Sequence, residues 1–117
     1  FKASVPIHTY EDLKPWIDRM MAGEENVLWN TPVEWFAKSS GTTSERSKFI
    51  PLSQQSLDEN HYQASKDVLT LYYFNYPESD LLTGKGLVIG GSHQVGQLNE
   101  DIRYGDLSAV LLQNTPF

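Results

Sequence analysis

Ser39 to Ser47 reads Ser-Ser-Gly-Thr-Thr-Ser-Glu-Arg-Ser, with Lys38 before it and Lys48 after it. A stretch with almost no apolar residue cannot be a core element, so it is a loop. Its residue types suit an anion. Gly41 lets backbone amides come close to a ligand. Hydroxyls donate to phosphate oxygens without carrying a full charge, and successive amides in a turn form an anion-binding nest. Arg46 or Lys48 can supply the neutralising charge. The chemistry is that of a polyphosphate cradle between two strands. Polar Ser/Thr/Gly loops are also ordinary, so composition alone leaves a plain solvated loop open. The segment is not a Walker loop, which needs a second glycine and a Gly-Lys pair opening a helix. It lacks the further glycines of a dinucleotide fingerprint, and no Gly-x-Ser-x-Gly elbow occurs.

Other reactive residue types are scattered. His8, His61 and His93 show no spacing that would hold zinc, and no metal site is assigned. His8 lies close to the start of the chain, and His61 falls on the polar half of a helix and reads as solvated. His93 follows the Gly90-Gly91 turn at a strand end, where ligands often bind in α/β sheets, so it is a candidate for lining a substrate pocket. Asp106 reads as a helix cap rather than a base. Tyr72, Tyr73, Phe74 and Tyr76 could wall an acyl pocket, though core packing explains them more simply. Trp16, Trp29 and Trp35 read as core.

The elements that must position these residues follow from periodicity. Leu13, Trp16, Ile17, Met20 and Met21 recur at helical spacing and predict a helix from about Leu13 to Ala22. Asp12 is the expected N-cap, which puts Pro15 in the first turn, with Thr9 the alternative cap. Gly23 supplies the left-handed position after the helix. Trp29 to Pro32 reads as a loop. Glu34 to Lys38 predicts a strand, and Lys48-Phe49-Ile50 a second one, limited by Pro51. A long helix begins at Ser53 and reaches roughly Asn75, before Pro77, with Leu57, Ala64, Val68, Leu71 and Tyr72 on its inner face. Leu87-Val88-Ile89 predicts a buried strand. Ile102 to Gly105 reads as irregular. Asp106 caps a last helix, Leu107 to Gln113, with Leu107, Val110 and Leu111 inward. The mixture predicts an α/β fold, with helices packed on a small mixed sheet.

Composition sets the outer bounds. The chain has 117 residues, enough for one domain, and 39% are hydrophobic. Three Trp, six Tyr and five Phe argue against disorder. Nine basic against fifteen acidic residues give a net charge of −6, with no global field drawing the chain to nucleic acid or to an anionic membrane. No apolar run approaches the ~18–20 residues that span a bilayer. The absence of Cys removes disulfides, thiolate metal sites and Cys nucleophiles, and suits a reducing, cytoplasmic setting. The chain opens on Phe1 and stops on Thr115-Pro116-Phe117 straight after an apolar stretch. Both ends read as cut, and the chain is expected to be part of something longer.

The stretch Phe36-Ala37-Lys38-Ser39-Ser40-Gly41-Thr42-Thr43-Ser44, running into Lys48-Phe49-Ile50-Pro51, resembles the phosphate-binding motif of adenylate-forming enzymes. It looks most like the version in the auxin-responsive Gretchen Hagen family of acyl acid amido synthetases, in its microbial branch. The flanks agree: Val5-Pro6-Ile7 before Tyr10-Glu11-Asp12-Leu13-Lys14-Pro15 is similar to the family's opening segment. Gly84-Lys85 before Gly90-Gly91-Ser92, and Gly105-Asp106-Leu107-Ser108-Ala109, look like its downstream blocks. The resemblance covers nearly the whole chain, and loop, flanks and blocks in this order are more specific than the loop alone. Two departures stand out. Ser44-Glu45-Arg46 lies where the family often has further glycines, which makes the cradle less open. The family's adenine- and ribose-binding motifs and its C-terminal lid, which lie far downstream, are not among these residues.

The resemblance implies that residues 1–117 are part of a large N-terminal adenylation domain. It implies ATP and Mg2+, and small carboxylic acid and amino acid substrates. The carboxylate attacks the α-phosphate, giving an acyl-adenylate and pyrophosphate, and an amine then takes the acyl group. Ser39, Ser40, Gly41, Thr42 and Thr43 match the positions that hold the β- and γ-phosphates. Lys48 is a secondary candidate and Arg46 a weaker one. No catalytic residue is assigned. On this view the piece alone is inactive, and it is expected to self-associate through surface that the remainder would cover. The rival is an autonomous α/β binding module with a polar anion-binding loop and no catalysis. A kinase-like enzyme is disfavoured by the missing Walker lysine. A gene continuing for several hundred residues favours the synthetase.

Overall fold

The computed structural model describes residues 4–39, 47–87 and 94–115. Helix α1 spans Tyr10–Met21, and its cap is Thr9 rather than Asp12. The Thr9 hydroxyl oxygen accepts from the Asp12 N–H (3.4 Å), and the Asp12 carboxylate accepts from the Thr9 N–H (2.7 Å) and the Thr9 hydroxyl (2.8 Å). This reciprocal box satisfies two donors that a helix start leaves open. The Thr9 backbone and side-chain hydrogen bonds hold the Asp12 carboxyl below its ordinary pKa. With the cap at Thr9, Pro15 sits in the second turn and removes one intrahelical donor. At the other end Gly23 has φ +91°, its N–H donates to Met20 O, and the Glu24 N–H donates to Arg19 O. That pair of bonds closes the helix as its glycine predicts.

Four strands form one mixed sheet in the order β2-β1-β4-β3. They are β1 Trp35–Lys38, β2 Phe49–Leu52, β3 Val95–Gln97 and β4 Arg103–Gly105. Strand β1 is antiparallel to β2 and parallel to β4, and β3 is antiparallel to β4. The segment expected to be irregular is therefore an inner strand of the sheet. Asn99 Oδ1 accepts from the Asp101 and Ile102 N–H groups and turns the chain from β3 into β4. Gly96 faces Tyr104 across that pair, and a Cβ there would lie 2.3 Å from the tyrosine ring. The glycine makes room for the ring.

Strand alternation divides the core. Phe36 joins Ile17 and Met20 of α1, Val33 and Ile102 on one face. Trp35 and Ala37 join Leu52, Leu57 and Val110 on the other. There helix α3, Leu107–Gln113, packs beside a π-helical stretch, Ser56–Tyr62, and Tyr62 donates its hydroxyl to Leu111 O at 2.7 Å. Burial of the Tyr62 phenol raises its pKa. Buried Ser53 heads the long helix as expected, its hydroxyl accepting from the Ser56 N–H at 3.1 Å. The first turns then widen into the π-helical stretch before α2, Gln63–Asn75.

Several expected core residues are exposed. Helix α2 buries none of its residues, and Val68 (66%), Leu71 (63%) and Phe74 (83%) face outward. The apolar stripe exists, but no element among the described residues covers it. Tyr72 meets Tyr73 edge-on and Tyr76 at a tilt. Trp35 is buried as read, whereas Trp16 and Trp29 are about half exposed, with the Arg19 guanidinium over the Trp16 ring. On α3 Val110 is buried and Leu111 packs partly buried beside it, as expected, whereas Leu107 is exposed and Ala109 takes the remaining inward place. Leu87 is exposed and lies in no strand, and residues 88 and 89 of that expected strand lie outside the described residues.

Candidate functional site

The parallel pairing of β1 with β4 gives the sheet a direction. Ser39 leaves β1 at the end where Gly105 leaves β4 and Asp106 takes the N-cap position of α3. In α/β sheets this carboxyl end of parallel strands is where ligands bind. Ser39 and Lys48, which bound the polar segment between β1 and the edge strand β2, lie at that end. Ser40, Gly41, Thr42, Thr43 and Arg46 lie outside the described residues, as does His93. Ser39 and Lys48, the first and last of the candidate phosphate ligands, are described, and the structure brings them together.

The base of the loop is closed by two hydrogen bonds. The Ser39 N–H donates to Lys48 O, and the Lys48 N–H donates to the Ser39 hydroxyl oxygen, both at 2.9 Å. The serine oxygen is used as an acceptor, which leaves its proton free to donate to an anion. These bonds also set the parity of the edge strand. If Lys48 turns its backbone toward β1, then Phe49 and Pro51 turn theirs away. Pro51 thus costs the sheet no hydrogen bond, and β2 runs on to Leu52 instead of stopping before the proline.

The outward backbone of Phe49 meets Tyr10. The Tyr10 hydroxyl accepts from the Phe49 N–H at 2.9 Å and lies 3.4 Å from Phe49 O. The Lys48 ammonium stands 5.7 Å from the centre of the Tyr10 ring, and the Lys38 ammonium 5.8 Å from that of Tyr104. Tyr104 in turn meets Phe49 edge-on, with ring centres 5.4 Å apart. Each lysine flanking the loop is therefore set over a tyrosine ring, an arrangement favourable to a cation. Sequence reasoning missed both tyrosines. Tyr104 sat in a stretch read as irregular, and the contact of Tyr10 spans 39 residues. The one local signal for Tyr10 is the Thr9-x-x-Asp12 box, which makes it the first helical residue.

A cleft of about 350 Å³ opens at the other end of the parallel strands, among Met20, Gly23, Trp29, Val33 and Ile102. Glu24, Glu25, Glu34, Glu100 and Asp101 also line it, and five carboxylates oppose a polyanion. It does not suit a phosphate ligand. Among the described residues no group of three or more His, Asp or Glu could hold a metal ion, and no helix is long and apolar enough to cross a membrane.

The model of the GH3 family N-terminal domain matches residues 1–117. The chain belongs to the GH3 family. Among its relatives, a probable indole-3-acetic acid-amido synthetase of Oryza sativa subsp. japonica is 35% identical over 100 residues, covering 74% of this chain and 16% of the relative. Jasmonoyl-L-amino acid synthetase JAR6 of Nicotiana attenuata is 38% identical over 118 residues, covering all of this chain and 20% of the relative. The solved structure of the AtGH3.15 acyl acid amido synthetase in complex with 2,4-DB superposes with a TM-score of 0.73 at 29% identity, over 93% of this chain and 19% of that one. The chain thus spans a fifth or less of the length of these GH3 proteins. The α/β fold, with helices on a small mixed sheet, is that of the N-terminal part of the family's amido synthetases.

Proposed function

We propose that this chain is the N-terminal part of an acyl acid amido synthetase. The complete protein activates a small carboxylic acid with ATP and passes the acyl group to the amine of an amino acid, in a cytoplasmic setting. The observation that carries this reading is the match of the GH3 N-terminal domain over the whole chain, together with the names of its relatives. The closed base of the Ser39–Lys48 loop, at the carboxyl end of two parallel strands, supports a role in holding phosphates. Ser39, Ser40, Gly41, Thr42, Thr43 and Lys48 would take the β- and γ-phosphates. The barrier to be lowered is one of charge, since an anion must approach a polyanion. Fixed donors that hold the phosphates supply that without reorganising. Magnesium, when bound, neutralises phosphate oxygens. It keeps several waters and would take one or two carboxylates beside the phosphates; the residues named above supply none, so such a carboxylate would come from elsewhere in the complete protein.

The test is carboxylate-dependent ATP–pyrophosphate exchange by the complete protein with magnesium, across aryl and fatty acids. Exchange with one acid class is expected. No exchange with a broad panel from a folded protein would favour the binding module. The reading also gives the exposed stripe of α2 a role, as surface that the remainder of the protein covers. This 117-residue chain alone is then expected to self-associate as its concentration rises, and Leu71→Asp to weaken that association. Light scattering behind size exclusion reads the outcome, and a strict monomer at all concentrations would refute it.

A further inference from the structure

We propose that Tyr10 is a positioning residue for the loop, one that holds Lys48 and the outgoing strand where a phosphate ligand needs them. The inference rests on the phosphate reading of the loop and extends it to a residue outside the motif. Lys48 is fixed on two sides. Its backbone is bonded to Ser39 through N–H and carbonyl alike, and its ammonium lies over the Tyr10 ring. Phe49, the next residue, has its outward N–H bonded to the Tyr10 hydroxyl. One side chain thus grips two successive residues at the mouth of the loop. Tyr10 is itself placed by the capping box, which fixes the first turn of α1. Lysine is a flexible point charge, and a site that holds it in place before binding avoids ordering it afterwards.

A merely structural role for Tyr10, tying α1 to an edge strand, would leave substrate affinities unchanged. The test therefore separates the substrates. In carboxylate-dependent ATP–pyrophosphate exchange by the complete protein, Tyr10→Phe keeps the ring but loses the hydroxyl. It is expected to raise KM for MgATP about fivefold, with KM for the acid within about twofold. Tyr10→Leu removes the ring as well and should raise KM for MgATP more than about tenfold. Combined with Lys48→Ala, Tyr10→Leu should add little, because both act through one cation. KM is read on the folded fraction, so partial unfolding lowers only the apparent kcat. An unchanged KM for MgATP in both tyrosine variants, or an equal rise for both substrates, overturns the proposal while leaving the loop reading intact. Absence of exchange by the wild-type protein overturns both.

Discussion

Thr42→Ala in the complete protein is expected to slow carboxylate-dependent ATP–pyrophosphate exchange by about 10²–10³-fold, the loss of one preorganised donor at developing charge, or ~2.7–4 kcal/mol. In the proposed first step the charge that develops falls on the departing pyrophosphate. A hydroxyl aimed there matters more in the transition state than in the ground state, so kcat and kcat/KM should fall together. Thr42 lies outside the described residues, and its role comes from its place in the motif between Ser39 and Lys48. It is a cleaner probe than Ser39. The Ser39 hydroxyl also closes the base of the loop by accepting from the Lys48 N–H, so Ser39→Ala would mix lost donation with lost shape. Thr42→Ala, in a stretch too polar to be core by composition, should leave fold stability within about 0.5 kcal/mol. Wild-type exchange rates in the variant would sink the assignment, and a large drop in the unfolding midpoint would move the effect from chemistry to folding.

Local signals in the sequence were reliable where the structure is decided locally. Gly23 closes α1, Ser53 heads the long helix, and Asp106 stands at the start of α3. Thr9 and Asp12 both belong to the start of α1, and their reciprocal bonding settles which of them is the cap. What was not legible is what depends on distant partners. Arg103-Tyr104-Gly105 has no alternation long enough to mark a strand, and becomes one because β1 lies on one side and β3 on the other. The stripe of α2 is real as a pattern, but a pattern cannot say what covers it, and among the described residues nothing does. The candidate site divides the same way. Composition marks residues 39–47 as a polar loop, and it is the family resemblance that carries the proposal of a phosphate cradle. The tyrosines beneath its flanking lysines come from α1 and β4, far away in sequence.

Phe36→Ala is expected to destabilise this 117-residue chain by about 3–5 kcal/mol, which is a large part of the ~5–15 kcal/mol that typically holds a domain together. Phe36 is 0% exposed, and its neighbours across the sheet are Pro51 on one side and Tyr104 on the other. Ile17 and Met20 of α1 close over it, with Val33 and Ile102 at its sides. Removing the ring leaves a cavity over a sheet whose hydrogen-bonded strands hold its neighbours in place and resist collapse, so the cost should fall at the upper end of that range. Phe74→Ala is the matched control. The same ring is removed from a site 83% exposed, and the change should stay within about 0.5 kcal/mol. Urea unfolding decides the matter, with a lower midpoint and an unchanged slope expected for Phe36→Ala. Equal effects at the two positions would mean that the α1 face of the sheet is not the core. The consequence for function is direct, because β1 carries Phe36 and Lys38 and leads straight into Ser39. The strand that anchors the core is the strand that delivers the chain into the loop, so the loop's footing is as firm as the packing of this one ring.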